Sequence, residues 1–102
     1  MRRAAKVDGN HAEIAKEFKR LGARVEDVHQ LGEWVDLQVI YRGVHVHVEV
    51  KMPGVNLEPH QQDLKDEIES YGGKHATIRS IEEARGLIGS IYEHTPNWRK
   101  PQ

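Results

Sequence analysis

Between Val44 and Lys51 the chain alternates without a break: Val44, Val46, Val48 and Val50 take one parity, and His45, His47, Glu49 and Lys51 take the other. Successive side chains of a strand point to opposite faces, so this stretch reads as a strand with a valine face and an ionisable face. The stretch before it alternates too, with Val35, Leu37, Val39 and Tyr41 against Asp36 and Gln38. The link Arg42-Gly43 is short enough to make the two an antiparallel hairpin. A two-residue loop there, or a four-residue loop closed by Ile40 and His45, sets Tyr41 opposite Val44, Gln38 opposite His47 and Asp36 opposite Glu49. A loop of three or five residues would break that register. Two carboxylates then share one face, with Cβ atoms roughly 4.5–5.5 Å apart. Such a pair calls for positive charge, from a divalent cation and from Lys51 on the same face.

The rest of the chain arranges itself around this hairpin. Residues 1–9 are basic, then Gly-containing, and read as flexible. Asn10 suits the N-cap of a helix running to about Leu21, with Ile14, Phe18 and Leu21 on its apolar face and Gly22 as its stop. Arg24 to His29 reads as a strand, although Val25 and Val28 break strict alternation, and a loop leads from it to Trp34. After the hairpin, Met52-Pro53-Gly54 ends the strand. Pro59 opens a second helix whose buried stripe is Leu64, Ile68 and Tyr71, with Gln61 on the same stripe and Gly72-Gly73 ending it. Lys74 to Ile78 is a short strand. Ser80-Ile81-Glu82-Glu83 has capping-box spacing and opens a third helix with Ala84, Leu87, Ile88 and Ile91 inward. Thr95 to Gln102 reads as a loosely attached tail, leaving one domain over 1–94 and a tail over 95–102. The expected fold is therefore α/β, in the order α-β-β-β-α-β-α, with a mixed sheet flanked by helices. The last two strands are expected to be parallel because a helix crosses between them.

Composition limits what such a fold can do. A chain of 102 residues builds one small core. Its 15 Lys and Arg are matched by 16 Asp and Glu, so no overall polycation points to nucleic acid. The absence of cysteine removes disulfides and thiolate metal sites and suits a reducing compartment. No run reaches the length of a membrane span, and no apolar segment follows Met1-Arg2-Arg3 as a secretory signal would require. The expectation is a soluble intracellular protein.

Asp36 and Glu49 supply the kind of oxygen ligands that Mg²⁺ takes, and the Val50 carbonyl could add a third. Lys51 would then orient or deprotonate a water, or stabilise charge on a pentavalent phosphate. The plain alternative is a solvated strand face on which Lys51 makes a weak ion pair. Another is Zn²⁺ held by His45 and His47, with Glu49 as third ligand. Trp34 and Trp98 could stack on exposed bases, while Lys16, Lys19 and Arg20 read as a solvated helix face.

Asp36 followed by Glu49-Val50-Lys51 at a strand end resembles the PD-(D/E)xK nuclease superfamily. Asp8-Gly9-Asn10 before Glu13-Ile14, Val35-Asp36-Leu37, Leu57-Glu58-Pro59-His60-Gln61 and Ile78-Arg79-Ser80-Ile81-Glu82-Glu83 narrow the likeness to the small VRR-NUC proteins, over roughly residues 6 to 88. The resemblance implies a restriction-endonuclease-like core and DNA cleavage that depends on Mg²⁺, with Mn²⁺ as a substitute. It implies Asp36 and Glu49 as ligands, Lys51 as the catalytic lysine and Gln61 as the motif glutamine. Glu13 would be the acid of the first helix, a place that Asp8, Asn10 or Glu17 could also fill. The position before Asp36, often proline in the superfamily, is Val35. Stand-alone members resemble Holliday-junction resolvases, so the resemblance further implies branched DNA as substrate, a homodimer, and the cytoplasm of a bacterial or phage-infected cell. A non-catalytic nucleic-acid-binding module on the same fold is the alternative.

Overall fold

A computed structural model describes residues 8–102; the reading given for residues 1–7 lies outside them. The elements follow the expected order: helix α1 (His11–Arg20), strands β1 (Arg24–Asp27), β2 (Leu37–Tyr41) and β3 (Val44–Val50), helix α2 (Pro59–Ser70), strand β4 (Lys74–Ile78) and helix α3 (Ile81–His94). Strand β1 stops at Asp27, short of the expected His29, and a 3-10 turn at His29–Leu31 opens the loop. The sheet runs β1-β2-β3-β4, antiparallel except for the β3–β4 pair, which is parallel.

The hairpin closes in the expected register, with Tyr41 opposite Val44 and Gln38 opposite His47. Arg42 (φ 48°) and Gly43 (φ 79°) both lie in the left-handed region, as a two-residue turn matching the strand twist requires. The valine face of β3 packs with Leu37 and Val39 against Ile14 and Phe18 of α1 and Ala84, Ile88 and Ile91 of α3. Each Val, Leu, Ile or Phe among them, fully buried, contributes about 1.5–3 kcal/mol. Helix α2 covers the opposite face, where Ile68, Trp34 and Tyr71 border a groove with His47. Strand β3 is thus covered on both sides toward its C-terminal end, while His45 near its start stays exposed.

Two expectations change. Of the α2 stripe only Ile68 is buried; Leu64 is half-buried and Tyr71 is 87% exposed. The helix stops at Ser70, and Gly72 (φ 84°) turns the chain, so Tyr71 caps the end rather than continuing the inward face. The segment after Thr95 is also not loose up to Trp98. Arg42 donates to the Thr95 hydroxyl (2.9 Å) and carbonyl (2.5 Å), and its guanidinium lies over the rings of Tyr92 and Trp98 at 4.5 and 5.6 Å. Charge-assisted hydrogen bonds and cation–π contact hold these residues against the hairpin turn. Among the described residues, no helix is long and apolar enough to cross a membrane.

Candidate active site

Glu49 and Lys51 are not on a solvated face. Glu49 is 1% exposed and Lys51 7%. Their strand is interior to the sheet, and α2 begins above its C-terminal end. Asp36 reaches the same place by a small irregularity. The ladder between β2 and β3 ends at Leu37 opposite Val48, so Asp36 is a bend before the strand rather than a paired residue facing Glu49. Its backbone N–H bonds the Val48 carbonyl at 3.1 Å, one residue out of step with the ladder. Its carboxylate then accepts the Val50 N–H at 2.8 Å, a donor that a regular ladder would give to a backbone carbonyl. The slip turns Asp36 toward the end of β3 and brings its carboxyl to that of Glu49.

The electrostatics follow from that meeting. Burial, then the negative charge of Asp36 and a hydrogen bond to its carboxyl, push the Glu49 carboxyl up to about 8 despite the opposing charge of Lys51. Burial raises Asp36 too, against the stabilising Val50 N–H. Like charges this close cannot both ionise without a cation, so the pair holds a proton at neutral pH. A divalent ion suits these donors. They are all oxygen, and Glu49 Oε1 is buried with no hydrogen-bond partner among the described residues.

Gln61 lies one turn into α2, and its side chain is fixed at both ends. Its Oε1 accepts the Glu58 N–H (2.9 Å), which leaves the amide nitrogen to donate to Glu49 Oε2 (3.0 Å). It is therefore a helix-end cap and a neighbour of the carboxyl pair at once. Asp36, Val50, Lys51 and Gln61 all wall one open cleft of about 450 Å³. Asp8 walls it as well, and its charge raises both Asp36 and Glu49. Glu13 is not brought there. The buried face of α1 carries His11, Ile14, Glu17 and Phe18, which leaves Glu13 exposed in the first turn. Asn10 is buried but does not cap α1 with its side chain. Its amide donates to the Lys51 and Arg79 carbonyls, both at 3.0 Å, pinning the start of α1 to the ends of β3 and β4.

Three ionisable cleft residues have no role in the sequence reading: His29, in the 3-10 turn, and Glu58 and His60, which flank Pro59 in the motif that carries Gln61. His29 belongs to no periodic pattern, so only the fold brings it in, whereas the place of Glu58 and His60 beside Gln61 was a signal in the sequence. The zinc arrangement of His45, His47 and Glu49 does not form. Alternate residues on one strand face advance by roughly 6.5–7 Å, which holds the outer two about 13 Å apart. His45 instead bonds Gln38 Oε1 at 3.0 Å and stacks on His47. Trp34 is half-buried, edge-on to His47, in the cleft wall.

No family model and no curated protein sequence matches this chain. Among solved structures, a VRR_NUC domain matches with a TM-score of 0.69 and 31% sequence identity, over 82% of this chain and 96% of the other. At that identity and coverage the likeness extends beyond topology. It spans the α-β-β-β-α-β-α order and the mixed four-stranded sheet, and on these grounds the chain belongs to the VRR_NUC family.

Proposed function

We propose that this protein is a nuclease of the PD-(D/E)xK type, a metal-dependent endonuclease that hydrolyses phosphodiester bonds in branched DNA. Mg²⁺ would be its ion and Mn²⁺ a substitute. The observation that carries this reading is the Asp36–Glu49 carboxyl pair, sunk at the end of β3 with one unpartnered oxygen and with Lys51 two residues on. Asp36, Glu49 and the Val50 carbonyl would hold the ion, and Asp8 rather than Glu13 is the acid near α1 best placed to join them. When bound, such an ion draws charge from the phosphate and makes a water acidic enough to attack.

The remaining work falls to the chain. The Val50 N–H and the Gln61 amide each hold one oxygen of a carboxyl, so both groups are oriented before substrate arrives. Lys51, buried in the cleft wall, orients the attacking water and sets positive charge beside the phosphate as its negative charge builds. Among the described residues one chain carries one such cleft. A four-way junction offers two equivalent strands, so a homodimer suits that substrate.

The test is cleavage of labelled four-way junction, flap, duplex and single-stranded DNA with Mg²⁺, Mn²⁺ or EDTA, by the wild type and by Lys51→Ala. Paired nicks in the junction that need metal and vanish with Lys51→Ala are expected. Cutting of a different structure would change the substrate and keep the chemistry. Binding without cutting under every condition would overturn the enzyme and leave a non-catalytic nucleic-acid-binding module.

A further inference from the structure

A second group of side chains has converging donor atoms. Among the described residues, His11, Asp27 and His29 form the one set of three metal-ligating side chains whose donor atoms all lie within 4.8 Å of one another. They come from three places in the fold: the first residue of α1, the last residue of β1 and the start of the 3-10 turn. His11 Nε2 lies 2.9 Å from one Asp27 oxygen and His29 Nδ1 lies 2.5 Å from the other, with the two rings edge to face at 5.2 Å. Although burial opposes it, the hydrogen bonds from His29 and His11 hold the Asp27 carboxyl below its usual range, so it is anionic at neutral pH.

The donor set is two imidazole nitrogens and one carboxylate oxygen. Mg²⁺ favours oxygen alone, whereas Zn²⁺ and its first-row neighbours favour this mixture, with a fourth position left for water. Tetrahedral bonds of 2.0–2.1 Å set ligand atoms roughly 3.3 Å apart. The two histidines meet different oxygens of Asp27, and with one donor atom from each residue all three lie within 4.8 Å of one another, so closing on an ion asks for shifts of up to about 1.5 Å, within reach of side-chain rotation. Hydrogen bonding within the trio does not fully account for His11. Its side chain is 7% exposed, its Nε2 is aimed at Asp27, and packing alone would be better served by an apolar residue.

We propose that His11, Asp27 and His29 bind a divalent transition metal of the Zn²⁺ class, at a site distinct from the Asp36–Glu49 pair. Its place gives it a consequence. His29 is also part of the cleft wall, so an ion held there borders the cleft and adds fixed positive charge beside the position of the phosphate. The proposal does not depend on the nuclease reading, because its test reads bound metal rather than cleavage.

Protein stripped with a chelator is titrated with Zn²⁺ by calorimetry as the wild type, as Asp36→Asn/Glu49→Gln, as His29→Ala and as Asp27→Asn. The wild type and the double variant should each take up Zn²⁺ at this site. His29→Ala and Asp27→Asn, both altered at partly exposed side chains, should lose at least about tenfold in affinity or the whole equivalent while keeping the wild-type circular dichroism. Loading with Co²⁺ gives a second readout: visible absorption typical of four-coordination in the wild type, gone in His29→Ala. Zn²⁺ uptake unchanged by both single variants, or lost only in the carboxylate double variant, overturns the site.

Discussion

Two glutamates are buried in this molecule, and their surroundings treat them in opposite ways. Glu17, on the inner side of α1, accepts hydrogen bonds from Arg20 on its own helix and from Arg85 on α3. The Arg20 bond, then the Arg85 bond, hold its carboxyl down at about 2. Glu49 is more deeply buried and receives one neutral amide, a competing carboxyl and no ion pair among the described residues, and it is pushed up to about 8. The first arrangement ties two helices together and leaves nothing over. The second is poor structural design and good site design, since its demand for positive charge is answered only when something binds. Of the two, only Glu49 carries an unsatisfied oxygen.

Exchanging each glutamate for glutamine should separate these roles, and this is the largest expected effect. Glu49→Gln keeps shape and hydrogen bonding but abolishes the charge, so metal-dependent cleavage should fall by at least about 10²–10³-fold with the fold intact. Glu17→Gln should leave cleavage within a few-fold of wild type and lower the melting temperature. Cleavage rates and thermal melts of both variants, side by side, decide it. A Glu49→Gln protein that cuts at the wild-type rate would erase the contrast.

The pH dependence of stability sharpens it further. Folded Glu49 still holds a proton where the unfolded chain, with its ordinary value of 4.5, has lost one. Its contribution is therefore fully present below pH 4.5 and is lost as pH rises through about 8, with a slope of up to about 1.4 kcal/mol per pH unit. Glu17 runs the other way: its contribution is present above pH 4.5 and is lost as pH falls through about 2. Burial lowers His47 and His75 below 6.5, which opposes the Glu49 slope only in the acidic range. Denaturant melts of metal-free protein between pH 6.5 and 8 should thus show stability declining with pH, and Glu49→Gln should flatten the decline. Under the same conditions Mg²⁺ must displace the shared proton, so its affinity by calorimetry should rise up to about tenfold per pH unit and level off above pH 8. A pH-independent titration would place the ion elsewhere.

Much of this contrast was written in the chain, and part of it could not be. The alternation from Val44 to Lys51 and the short Arg42-Gly43 link were enough to place the hairpin in register and put Glu49 and Lys51 on one face, because parity is a local property. The inward faces of α1 and α3 followed from spacing in the same way, with Ile14, Phe18, Ala84, Ile88 and Ile91 all buried. What local pattern could not reveal is depth and distant partnership. The face that alternates as if it were solvated is exposed at His45 but buried at Glu49 and Lys51, near the start of α2. Asp36 meets Glu49 through a slip in the ladder that strict pairing does not anticipate. Asn10 has the chemistry of an N-cap, yet it spends its amide on carbonyls 41 and 69 residues away. The Arg42 clamp on Thr95 and Trp98 and the His11–Asp27–His29 trio depend likewise on contacts between residues far apart in sequence.

Gln61 offers the smallest and most discriminating change, because it serves the helix and the site with opposite ends of one side chain. Replacing it with alanine removes the cap on the Glu58 N–H and leaves the Glu49 carboxyl with no amide donor, which should cost about 1–3 kcal/mol. Replacing it with glutamate keeps an acceptor for the Glu58 N–H but turns a third acid toward Asp36 and Glu49. If Gln61 matters chiefly as a cap, Gln61→Glu should match the wild type in stability and cleavage, and Gln61→Ala should fail in both. If it matters chiefly to the carboxyl pair, Gln61→Glu should approach wild-type stability only at acidic pH, where the added carboxyl is protonated. It should lose stability toward neutral pH more steeply than the wild type and recover it when Mg²⁺ is added. That recovery is the outcome the Glu49 environment leads us to expect, since Glu49, unlike Glu17, lacks a cation among its hydrogen-bond partners.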